Sequence, residues 1–114
     1  MADTHIACVQ MDVAIGNVAA NRQQIIARIR EAANHNAQLV IFPECALTGY
    51  CFDSLAEAMP FAEPLDGQSA QAIAAACRET SVHAVVGFIE RFGERYYNAA
   101  MVVGPAGVVG SYRK

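Results

Sequence analysis

Glu44 and Lys114 stand at the ends of strand-like segments, and their types suit proton transfer and charge stabilisation. Glu44 closes the run Leu39-Val40-Ile41-Phe42-Pro43. Near-continuous apolar runs mark strands buried on both faces, and proline, lacking an N–H, cannot extend the ladder. In open α/β sheets, ligands bind in the crevice beyond the carboxyl ends of the strands. A carboxylate delivered there is expected to be partly desolvated, with its pKa raised towards the range useful for general acid–base work. Lys114 follows Tyr112-Arg113 at the end of the last strand-like segment. Alternation there puts Val108, Gly110, Tyr112 and Lys114 on one face, and Val109, Ser111 and Arg113 on the other. An inward lysine is costly unless paired, and Glu44 is its natural partner. A base and a cation at two strand ends suggest half of a hydrolytic site. By spacing alone, a solvated loop glutamate and a frayed, exposed lysine are the plainer readings.

No residue of this chain completes that half-site convincingly. Cys8 and Cys77 fall inside a predicted strand and helix and read as core fillers. Cys45 adjoins Glu44 and Cys51 follows Tyr50, but neither has a histidine nearby in sequence, and a carboxylate neighbour raises a thiol pKa. His5, His35 and His83 are dispersed, which argues against a metal cluster or a serine–histidine arrangement. Gly16-Asn17 belongs to no phosphate-binding motif. The expectation is a site without metal or cofactor.

The elements that must position these groups follow from periodicity. Residues 5–12 read as a strand buried on both faces, with Gln10 its interior polar residue. Asn17 is a good N-cap for a helix over 18–34, where Val18, Ile25, Ile26, Ile29, Ala32 and Ala33 keep a helical period. Residues 39–42 form the second strand, so a right-handed β-α-β unit is expected. A loop over 48–64 holds a short helix near 54–59, and an alanine-rich helix covers about 67–78. Strands are predicted over 82–90, 95–103 and 108–114, separated by turns at Phe92-Gly93-Glu94 and Pro105-Ala106-Gly107. The class is α/β with a mixed sheet.

Composition bounds the rest. A chain of 114 residues is at most one small domain. Charged residues are 17%, against a usual ~25%, so apolar surface is expected to need cover from further sequence or a partner subunit. Net charge is −3 with scattered basic residues, which recommends neither nucleic acid nor an anionic membrane as partner. No apolar run approaches the ~18 residues of a membrane span, and residues 1–5 lack a signal-peptide pattern. The four unclustered cysteines read as reduced thiols of a cytoplasmic protein.

Taken together, several segments resemble the N-terminal part of the nitrilase, or carbon–nitrogen hydrolase, superfamily. They are Val9-Gln10-Met11, Gly16-Asn17 with Asn21, Ala37-Gln38-Leu39-Val40-Ile41-Phe42-Pro43-Glu44, Leu47-Thr48-Gly49-Tyr50, Tyr97-Asn98-Ala99-Ala100, Gly104-Pro105-Ala106-Gly107 and Tyr112-Arg113-Lys114. The resemblance implies an α-β-β-α sandwich, of which residues 1–114 are an incomplete N-terminal portion. It implies a Glu-Lys-Cys mechanism on an amide, carbamoyl or nitrile carbon of a small molecule, in a homo-oligomer. Glu44 would be the general base and acid, and Lys114 the cation that stabilises the tetrahedral intermediate. The nucleophilic cysteine would lie beyond Lys114, with a second glutamate between them. Tyr50 matches a position near the substrate pocket, though a half-buried packing aromatic fits it equally. Gln10, Asn21 and Asn98 match structural hydrogen-bonding positions. The alternative is a non-catalytic α/β module that binds a partner or small ligand.

Overall fold

The computed structural model describes residues 3–114. The reading of the N-terminus falls partly on Met1 and Ala2, which lie outside them. The elements are β1 (Ile6–Cys8), α1 (Val18–Asn34), β2 (Leu39–Ile41), α2 (Leu55–Ala58) with a 3-10 turn (Met59–Phe61), α3 (Gln68–Thr80), β3 (His83–Phe92), β4 (Arg95–Gly104) and β5 (Gly107–Arg113). The Asn17 side chain caps α1 by accepting from the Ala20 N–H at 3.2 Å. Ser54 does the same for α2 through the Glu57 N–H. Ser81, in the left-handed region at φ 59°, ends α3.

One mixed sheet runs in the order β1-β2-β3-β4-β5, parallel across β1, β2 and β3 and antiparallel from β3 to β5. Its two faces differ. Val40, Ala84, Val86, Phe88, Ala99, Met101 and Val103 point to one side, where Ile25 and Ile29 of α1 and Ile73 and Cys77 of α3 close the core over them. Each of those isoleucines is fully buried, a contribution of about 1.5–3 kcal/mol apiece, which fixes the helices to the sheet. On the other side Leu39, Ile41, Val85, Ile89, Ala100 and Val102 are only half-buried, and Ile6 and Tyr112 are exposed. The architecture is therefore α/β with helices on one face of an open sheet.

Three sequence expectations change. The first strand is three residues long, with only Ala7 packed against the core; Ile6 and Cys8 lie on the uncovered face, so Cys8 is exposed rather than a core filler. Gln10 lies outside the strand, exposed, with no side-chain hydrogen bond among the described residues. In β5 a register shift makes Val103 face Val108 but Val102 face Gly110. That bulge moves Val108 to the face of Ser111 and Arg113, while Gly110, Tyr112 and Lys114 keep theirs.

The uncovered apolar face and the free edges of β1 and β5 are expected to drive self-association. Sedimentation velocity over rising concentration should show species heavier than the 12.2 kDa chain. A monomer at every concentration would contradict this.

Candidate active site

Proline decides how the chain leaves β2. Phe42 makes the last ladder bond, its N–H donating to Val85 O at 2.9 Å. The backbone of residues 43–45 then turns onto the open face and passes over Gly87 of β3. A Cβ at Gly87 would stand 2.5 Å from the Cys45 nitrogen and 2.6 Å from the Pro43 oxygen, so only glycine admits this crossing. Cys45, at φ 48°, and Gly49, at φ 72°, close the following turn, with both Thr48 and Gly49 N–H groups donating to Cys45 O. Buried Asn21 anchors it from α1: its amide donates to Ala14 O at 2.8 Å and Leu47 O at 2.9 Å, and its oxygen accepts from Ala14 N–H.

The other charge arrives from β5. Lys114 continues the strand, its N–H donating to Asn98 O at 2.9 Å. Its ammonium donates to Glu44 Oε1 at 2.9 Å, and the Asn98 side-chain amide donates to the same oxygen at 2.8 Å. These groups border a concavity of about 220 Å³ floored by Val85, Gly87 and Ala100. Larger hollows lie elsewhere, one of about 580 Å³ beside β1 and one of about 560 Å³ beside Glu90 and Arg113 on the other face.

The expected rise in the Glu44 pKa is overturned. The hydrogen bond from Lys114, then that from Asn98 and the lysine's charge, hold the carboxyl below its ordinary value, because at 40% exposure desolvation is the smaller effect. Lys114 is raised by the same hydrogen bond and charge. Both shifts favour the charged forms of the pair.

The cysteines do not join this arrangement as nucleophiles. Cys45 is buried with its sulfur 3.6 Å from Asn98 Oδ1, and burial, followed by the Glu44 charge, pushes its thiol up. Burial pushes Cys77 to about 11. Cys8 and Cys51 are exposed, and all four thiols are free. Tyr50 is 65% exposed and stands outside the lining of the concavity. The reading of Asn98 as a structural hydrogen-bonding group agrees with its bond to Glu44, whereas Gly87 was passed over; its signal was a glycine inside an apolar strand.

The family model described as "Carbon-nitrogen hydrolase" matches residues 5–114. A nitrilase of Pyrococcus abyssi is 37% identical over 96% of this chain and 42% of its own length. An (R)-stereoselective amidase of a Pseudomonas species is 35% identical over 96% of the chain and 39% of its own. The crystal structure of an N-terminal amidase superposes with a TM-score of 0.81 at 26% identity, over 96% of this chain and 27% of that one. The chain thus spans about two-fifths of these two curated relatives.

Gly87→Ala should cost roughly 1–3 kcal/mol in denaturant unfolding, the usual penalty of overpacking, since the crossing backbone must lift. An unchanged midpoint would refute the close crossing. The ion pair also sets a pH window. Glu44 is depressed, so its contribution is present above about 4.5 and lost as pH falls through its lowered pKa. Lys114 is elevated, so its contribution is present below 10.5 and lost as pH rises through its raised pKa. The stability difference between wild type and Glu44→Gln should be largest between those limits; a pH-independent difference would contradict the pairing.

Proposed function

The chain belongs to the carbon–nitrogen hydrolase family, and on that premise we propose that it is the N-terminal part of a hydrolase cleaving non-peptide carbon–nitrogen bonds, with Glu44 and Lys114 in catalytic roles. The observation that supports this most is the meeting of a base from the end of β2 and a cation from the end of β5 at one carboxylate oxygen. In this reading the nucleophile is a cysteine beyond Lys114. Glu44, kept ionised by its two donors, takes the thiol proton as sulfur attacks the substrate carbon. Lys114 offsets the oxyanion charge of the tetrahedral intermediate. Glu44 then hands the captured proton to the leaving nitrogen, so no raised resting pKa is needed for the acid step. The thioester is hydrolysed by a water that Glu44 deprotonates, and the thiol leaves protonated.

Amides are the preferred substrate class, since two of the three relatives described above are amidases. Tyr50, exposed beyond the same turn, is assigned to substrate contact. No metal or cofactor enters the scheme. A cytoplasmic homo-oligomer completes the proposal: free thiols suit a reducing compartment, and the open sheet face calls for cover. No described helix is long and apolar enough to cross a membrane.

The test is turnover. The 114-residue chain should release no ammonia or amine from amides above background. Extended by the coding sequence that follows Lys114, expected to bring a glutamate and then a cysteine, it should do so. Glu44→Gln, Lys114→Ala and that cysteine→Ala should each abolish release, because such groups act as a unit. Turnover by the bare chain would overturn the mechanism, and an inactive extended protein would favour a non-catalytic binding module.

A further inference from the structure

A second ion pair, which the mechanism does not use, occupies the helix-covered side of the same sheet corner. Glu90 is almost wholly buried there, and Arg113 grips it with two prongs: Nε donates to Oε1 at 2.8 Å and Nη2 to Oε2 at 3.1 Å. The guanidinium lies 4.1 Å from the centroid of the Tyr97 ring and 4.8 Å from that of Phe92. A planar guanidinium satisfies such a fork and lies on aromatic faces; a lysine ammonium matches the fork in neither shape nor donor placement.

This matters because the register of β5 is weakly specified. It is an edge strand, interrupted by the bulge near Val108, with four paired residues (110–113) beyond it. Its last residue, Arg113, and the one that follows, Lys114, are both cations, and a carboxylate waits on each face of the sheet. A slip of one residue moves every side chain to the opposite face. It would send an arginine towards Glu44 and a lysine towards Glu90, an exchange to which bare charge attraction is nearly indifferent. We propose that Glu90, Phe92 and Tyr97 form an arginine-selective socket, and that seating Arg113 in it fixes the register which presents Lys114 to Glu44. These are positioning residues. Their relevance to catalysis rests on the reading of Lys114 above; their action on its position does not.

Lys114 is the only lysine of the chain, so competitive amine labelling with mass spectrometry across pH reads a single side-chain midpoint. In the 114-residue protein, Glu44→Gln defines the midpoint of the unpaired ammonium. Glu90→Gln should lower the Lys114 midpoint as far as Glu44→Gln does, and combining the two should add nothing. Hydrogen exchange should quicken in the β5 peptide and stay unchanged in β3 and α3. The double variant Glu90→Gln with Arg113→Gln, which strands no buried charge, should behave alike. A shift under half that of Glu44→Gln in both variants, no more than loss of a distant charge would give, overturns the proposal. So does global unfolding of both, which would make the pair a prop of the whole core. Turnover is not measured, so failure of the hydrolase reading leaves this result untouched.

Discussion

A strand that runs into proline must find other partners for its next backbone groups, and here they are found by laying the following residues against Gly87. The missing Cβ lets residues 43–45 sit where any other side chain would collide. From that contact the rest of the site can be measured. Leu47 N–H reaches Gly87 O at 3.3 Å, Asn21 takes up Leu47 O, and the Glu44 carboxylate is held over Asn98 of β4. The lysine is a late arrival by chain order, 70 residues on, yet it meets a carboxylate already oriented by a neutral donor. A glycine, a buried asparagine and a strand asparagine thus do the positioning, and the charged groups inherit it.

The two ion pairs at this corner differ in what they can do. Glu44 and Lys114 are 40% and 73% exposed, where ion pairs add little to stability because water and salt screen them. The scaffold gains little from such a pair, whose two groups stay accessible. Glu90 is the opposite case, a buried carboxylate whose two oxygens are both taken by one guanidinium. Removing one partner of such a pair leaves a buried charge uncompensated, so Glu90 depends on Arg113 far more than Glu44 depends on Lys114. Adjacent cations thus sit in different settings on opposite faces, Arg113 on a buried carboxylate and Lys114 on an accessible one.

Much of this was legible in the sequence because it depends on local rules. Asn17 and the apolar period beyond it define α1 to the residue, and the turns at Gly93 and Pro105 bound β4 and β5 closely. Glu44 and Lys114 were visible as charges after apolar strands. What escaped depended on neighbours that sequence order hides. Residues 5–12 look like a buried strand by composition, but the strand stops at Cys8, which faces the uncovered side, and Gln10 lies beyond it, exposed. The parity of β5 was right for Lys114 and wrong for Val108, because a bulge cannot be counted from alternation alone. The Glu44 pKa was misjudged for a related reason: the strand end predicts burial, whereas the sign is set by two donors from β4 and β5.

That misjudgement bears on what the open face is for. Glu44, Asn98, Tyr112 and Lys114 stand with Val85 and Ala100 on the side of the sheet that no helix covers. Any layer laid over this side removes water from the pair, and desolvation favours the neutral forms of both groups. It also strengthens their mutual attraction, which favours the charged forms. The two effects oppose each other only because the partners are already bonded; an unpaired glutamate under the same cover would simply take up a proton. Lys114 and Asn98 therefore do more than lower a pKa in the exposed chain. Under such a cover a carboxylate held by both donors would keep its charge, where a strand end alone predicts a neutral acid.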